Sequence, residues 1–158
     1  HPVRRRVAIH ERPALPEVMA AVRTLLGLVP GLEIVEVPMP RLGVMSIHVV
    51  GLPDHKRALL EQEFATAKAA GADTLATVFH ACHREICTLG DARFEVLNFL
   101  ELIGESMGLH HDDHFRRMKA LADVDAMIAE AAPLIAANGL DEQAVREALL
   151  AEFPAARR

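Results

Sequence analysis

The chain has 158 residues, of which 51% are hydrophobic and 25% charged, a composition typical of one globular domain with its own core. Its formal net charge of −5 argues against a nucleic-acid partner, because binding a phosphate backbone requires a basic face. No signal peptide is visible, and no apolar run approaches the roughly 18 residues of a membrane span, so we expect a protein of the reducing cytoplasm.

Short apolar runs alternate with helical patterns through the first two thirds of the chain. One predicted helix carries Val18, Met19 and Val22 on one stripe, and a longer one begins at Pro53 and ends at Ala70-Gly71. The alternation predicts an α/β fold with a largely parallel sheet of four to five strands, flanked by helices. The predicted strands are 4–10, 32–37, 44–50, 75–79 and 94–97, and a short helix is predicted over 84–88.

The remainder of the chain is predicted to be a helical tail. Asp141 is an expected N-cap, and either Asp112 or Asp113 is expected to cap a helix that begins at His114. We expect a single domain over 1–158, with an α/β core at 4–98 and a helical C-terminal extension at 99–158. Because the chain begins at His1 and runs almost at once into a strand, we expect it to be a fragment of a longer chain. The predicted tail helices are 99–107, 114–122, 125–137 and 141–152.

Histidines and a cysteine lie at the carboxyl ends of three predicted strands. Ligands bind beyond these ends in open parallel sheets, so we expect the side chains to converge on one edge. Imidazole and thiolate suit zinc or another transition metal, and a thiol at a helix start is an alternative reactive group. Cys87 follows at a C-x4-C spacing, looser than that of structural zinc sites, and is expected to be a buried hydrophobe. The candidate metal ligands are His10, His48, His80, Cys82 and His83.

The sequence lacks the common signatures of hydrolases and nucleotide-binding proteins. It contains no G-x-S-x-G elbow, no Walker loop and no G-x-G-x-x-G motif. No set of nucleophile, base and orienting residue can be named from the sequence, so a hydrolase or transferase is not favoured.

One segment, Ala72–His83, resembles the second half of the cysteine-rich CCG domain. This domain occurs in the cysteine-rich chain of heterodisulfide reductases and in related iron–sulfur oxidoreductases, including glycolate oxidase and lactate-utilisation proteins. In the family a strand runs into a C-P-x-C-like turn, where this chain has Phe79-His80-Ala81-Cys82, so only Cys82 matches. Val7–Glu11 resembles the family's first strand, although no cysteine follows it here.

Two further segments extend the resemblance to about residues 4–88. Gly31–Glu36 resembles the family's second strand, and Ser46–Gly51 sits where the family has Cys-Cys-Gly. Valines occupy the paired-cysteine positions, at Val49 and Val50. The resemblance therefore implies a degenerate CCG domain, the second copy of a pair.

The resemblance also implies a function and a cofactor. It implies a redox-associated or docking role in a heterodisulfide reductase-like oxidoreductase, with Cys82 and His83 contributing to an iron–sulfur site. A four-iron cluster normally takes four cysteine thiolates, which this chain alone cannot supply. The implied partners are the remainder of the parent chain or other oxidoreductase subunits.

Two alternatives remain open from the sequence. The first is a zinc-binding domain that uses Cys82, His83 and the strand-end histidines. The second is a metal-free protein interaction domain, whose helical tail packs on a partner subunit, on the missing N-terminal portion of the parent chain or on a second copy of the chain.

Overall fold

The computed structural model describes residues 1–11, 15–37, 51–154 and 156. It forms two compact units, His1–His111 and Asp112–Arg158. The predicted strand at 44–50 and the candidate ligand His48 lie outside the described residues.

The first unit contains a four-stranded, fully parallel sheet. The predicted α/β class with a largely parallel sheet is therefore confirmed. Three of the four observed strands are shorter than the apolar runs that predict them, and the last has the predicted length. The strands are β1 (Arg6–His10), β2 (Glu33–Ile34), β3 (Thr74–Thr77) and β4 (Glu95–Asn98), in the spatial order β2-β1-β3-β4.

Four helices of the first unit flank the sheet: α1 (Pro16–Gly27), α2 (Pro53–Ala69), α3 (His80–Ile86) and α4 (Phe99–Ser106). A proline occupies the first turn of both α1 and α2, where its missing N–H is not needed. The chain after α2 turns at Gly71, whose φ of +81° suits glycine. Among the described residues, no helix has both the length and the apolar character needed to cross a bilayer.

Helix α3 begins four residues earlier than the sequence predicts. The backbone N–H of His83 donates to the carbonyl of Phe79 at 3.0 Å, which closes the first helical turn. Histidine and cysteine are weak helix formers, so the local pattern underestimates this helix. Cys82 and His83 consequently lie within a helix, held over the end of the sheet.

The two faces of the sheet bury separate hydrophobic clusters. Side chains alternate between faces along a strand. In β1, Val7 and Ile9 belong to the cluster formed with α1 and α4, whereas Ala8 belongs to the cluster formed with α2 and α3. By the same alternation, His10 lies on the face covered by α2 and α3. This placement determines which helices can supply its partners.

The second unit is helical, as predicted for the tail. Asp113, Asp123 and Asp141 each accept a hydrogen bond from the backbone N–H three residues later, which is N-cap geometry. The predicted caps at Asp141 and before His114 are therefore confirmed. The helices are α5 (His114–Leu121), α6 (Val124–Ala137) and α7 (Glu142–Glu152).

Candidate active site at the carboxyl edge of the sheet

The carboxyl ends of β1 and β3 form the topological switch point of the sheet. The chain leaves β1 for β2 on one side and then crosses back to β3 on the other side of β1. Adjacent connections that diverge in this way open a crevice, which is the usual ligand-binding position in open α/β sheets. The last residues of the two strands, His10 and Thr77, are paired in register at this crevice.

His10 is the centre of a buried chain of polar side chains. Its Nδ1 lies 2.7 Å from Oε1 of Glu63, which projects from α2. The imidazole also forms a side-chain hydrogen bond with Cys82 of α3. Since Nδ1 is taken by the carboxylate, Nε2 is the ring nitrogen left for the sulfur. Only 8% of His10, 4% of Glu63 and 2% of Cys82 is exposed.

Glu63 lies on the apolar stripe of α2 rather than on its solvent face. It follows Leu60 by three residues and precedes Ala67 by four, and both of these neighbours pack in the core on this side of the sheet. A buried carboxylate is costly unless it is paired, and His10 supplies the pairing. The other oxygen, Oε2, is buried and has no hydrogen-bond partner among the described residues.

The surroundings of His10 favour its protonated form. Burial by itself lowers the pKa of His10, because it penalises the imidazolium. The hydrogen bonds to Cys82 and Glu63, together with negative charge at both groups, outweigh burial and raise the pKa of His10 to about 10. The two partners therefore favour the imidazolium form of His10 over the neutral imidazole.

This raised pKa predicts a pH-dependent stability. A histidine that binds its proton more tightly in the native state than in the unfolded state stabilises the native state. For His10, this contribution is fully present below pH 6.5 and is lost as the pH rises through about 10. We expect the free energy of unfolding to fall by on the order of 1 kcal/mol per pH unit between about 8.5 and 10. Below about 8.5 the unfolded chain binds on Cys82 the proton that the native site binds on His10, so the two contributions cancel. Urea unfolding at a series of pH values measures it. The slope should flatten in His10→Gln, and an equal slope in that variant would contradict the prediction.

His83 has a separate hydrogen-bond partner on the neighbouring strand. Its Nδ1 lies 3.1 Å from Oγ1 of Thr77, and the Thr77 hydroxyl donates to the carbonyl of Leu97 at 3.1 Å. A hydroxyl has one proton to donate, so Nδ1 of His83 must carry the proton in its bond to Thr77. Cys82 and His83 are thus adjacent in sequence but are held by different strands.

The predicted site residues are only partly brought together. The structure joins Cys82 to His10, places His83 over β3 and leaves His80 exposed. Among the described residues, no three of these side chains bring ligand atoms within 4.8 Å of one another. The prediction that Cys87 is a buried core residue is confirmed, since it is fully inaccessible.

Glu63 is the site residue that sequence reasoning missed. The signal was its position on the buried stripe of α2, where an unpaired carboxylate would be costly. With Glu63 included, the site has a thiol, an imidazole and a carboxylate in line, the order of a nucleophile, a base and an orienting group. In the described part of the chain, these three side chains do not bring their ligand atoms within 4.8 Å of one another. The arrangement is therefore a hydrogen-bonded series and not a metal coordination sphere.

Comparisons with protein-family models, with curated proteins and with solved structures find no match to this chain. A fold of this class supports many chemistries, so the side chains carry the inference.

Proposed function

We propose that this chain is a degenerate CCG-type domain of a cytoplasmic oxidoreductase, and that its own redox group is the thiol of Cys82. The observation that carries the proposal is the hydrogen-bonded series Cys82, His10, Glu63 at the switch point of the sheet. Neither cysteine forms a disulfide in the described part of the chain, which agrees with a reducing compartment. The negative net charge favours protein partners over nucleic acid.

The donor set does not fit an iron–sulfur cluster held by this chain alone. A four-iron cluster takes four cysteine thiolates, whereas the sequence has two cysteines. Cys87 is fully buried, and Cys82 is hydrogen-bonded to His10. No cluster-dependent step is therefore assigned to these residues.

The three side chains have distinct roles in the proposed chemistry. The thiolate is the reactive form of cysteine, so Cys82 is the group that gives electrons or attacks. His10 stabilises negative charge on the sulfur and can return a proton to a leaving group. Glu63 is a positioning residue, because it accepts from Nδ1 and fixes the orientation of the ring.

Metal content and thiolate content together test the proposal. In protein purified without oxygen, we expect the ultraviolet absorbance of about one thiolate per chain at neutral pH. The signal should vanish in Cys82→Ala and persist in the matched variant Cys87→Ala.

Three outcomes would overturn this assignment. Absence of a thiolate would remove the proposed redox group. Iron–sulfur absorbance with bound iron, lost in Cys82→Ser, would establish a cluster instead. Stoichiometric zinc that survives dialysis, with loss of stability under a chelator, would establish the zinc-binding alternative.

A further inference from the structure

We propose that two copies of this chain associate through α1 of one copy and a groove beside α2 of the other. A convex apolar helix face and a concave apolar groove are both exposed on the first unit, and they match in length and charge. The residues of the Cys82 site take no part in this contact. The inference therefore goes beyond the proposed function and can fail independently of it.

The convex surface is the outer side of α1. Four apolar residues recur there at spacings of three, four and three, which keeps them on one side of the helix. Three of them, Val18, Leu25 and the C-cap residue Leu28, are 39%, 45% and 75% exposed. The fourth, Ala21, is also exposed, and the exposed charged residue of α1 is Glu17. This side of α1 is therefore an apolar stripe with a single charge near one end.

The concave surface is a groove of about 860 Å³ along α2. Eight of its lining residues lie on α2 between Pro53 and Lys68, spaced so that they form one side of the helix. Leu60 and Phe64 form an apolar floor, since both also pack in the core. The remaining lining comes from the end of α3 and from the turn after it, where Leu89 is exposed. The groove is thus an elongated apolar surface that is open to a partner.

The two surfaces match in length and shape. A helix that binds in a groove places apolar anchors at intervals of three and four residues, as α1 does. With 12 residues α1 is about 18 Å long, and the groove from Pro53 to Lys68 extends about 22 Å. Ala21 on the stripe and Ala65 in the groove are small, which lets the two helices approach closely. Helix α1 can therefore lie along the groove over its whole length.

The charges of the two surfaces are complementary. The groove is lined by three basic and two acidic side chains. Two of the basic residues are held in close ion pairs, whereas the contact of Arg57 with the exposed Asp54 is 3.6 Å long. Arg57 is therefore the cation best placed to receive Glu17 of a second copy, near one end of the groove.

The position of the two surfaces requires a second copy of the chain. Helix α1 packs through Val22 and Leu26 against one face of the sheet, and α2 packs through Phe64 and Ala67 against the other. One chain cannot bring its own α1 to its own groove. Because the contact joins two different surfaces, it is heterologous, and it leaves a free α1 at one end and a free groove at the other. Such contacts propagate into rings or open chains.

Analytical ultracentrifugation of the full chain, from micromolar to millimolar concentration, tests the inference. We expect the average mass to rise past that of a dimer as the concentration increases. The contact is smaller than the roughly 800 Å² per partner of a standard interface, so the association should be weak. Leu25→Gln on α1 and Ala65→Glu in the groove should each weaken it by about tenfold or more. The matched controls should associate as the wild type does; they are Leu134→Gln, at a leucine of α6 that is 46% exposed, and Ala58→Glu, at an exposed position of α2 outside the groove.

Mixing the two interface variants separates this contact from any other. Leu25→Gln keeps an intact groove and Ala65→Glu keeps an intact α1, so the equimolar mixture should form a one-to-one dimer and nothing larger. A wild-type chain that stays monomeric at every concentration would overturn the inference, and this result does not depend on whether a variant folds. Association that Leu25→Gln abolishes but Ala65→Glu leaves intact would also overturn it, because α1 would then bind some surface other than the groove. Association that neither substitution changes would do the same. None of these outcomes alters the thiolate measurement at Cys82.

Discussion

His10→Gln should lower the rate at which a small uncharged reagent alkylates Cys82 at neutral pH by about 30-fold, because a thiol without a charged partner is only a few per cent ionised there. In the native site, the imidazole is bonded to both Cys82 and Glu63. Glutamine keeps a similar volume and a hydrogen-bond donor but carries no positive charge. The rate is measured in a Cys87→Ala background, so that Cys82 is the only thiol that the reagent can alkylate.

His83→Gln is the matched control for this prediction. His83 is as buried as His10 and is adjacent to Cys82 in sequence, but its Nδ1 bonds to Thr77. Its replacement should leave the alkylation rate near that of the wild type. If both substitutions slow the reaction equally, the effect comes from packing at α3 and not from the charge on His10.

Breaking the pair between His10 and Glu63 should destabilise the first unit strongly. Nδ1 and Oε1 are 2.7 Å apart, and the two side chains are only 11% and 4% exposed. Removing one member of such a pair leaves the other buried without a partner, at a cost of about 3 kcal/mol. We therefore expect Glu63→Leu and His10→Leu each to lower the free energy of unfolding by about this amount. The double variant should lose much less than the sum.

Urea unfolding of the four proteins in this cycle measures the coupling. The ion pair between Lys68 and Asp91 provides a matched control, because its N–O distance is also 2.7 Å but its side chains are 43% and 53% exposed. Solvent screening should leave little coupling in that second cycle. Additive losses in the His10–Glu63 cycle, or equal coupling in the two cycles, would contradict the interpretation.

The sequence alone determined the fold class and the edge of the sheet near which the candidate site residues lie. Apolar runs alternating with helical periodicity predicted the parallel sheet, and the ends of two runs placed His10 and Cys82 at the carboxyl edge. The aspartate caps of the tail helices were equally local, since an N-cap bonds its own first turn. These features can be predicted from the sequence because each depends on residues that are close together in the chain.

Only the tertiary structure decided which of these side chains are in contact. Glu63 and His10 are 53 residues apart, and no local pattern links them. Their contact follows from the strand order, which puts β1 beside β3, and from the alternation that turns His10 towards α2 and α3. The same packing gives these two neighbouring residues different partners, because His83 bonds to Thr77 and not to His10. Local periodicity specifies the face of each element, but the pairing of faces is set by how the strands and helices pack.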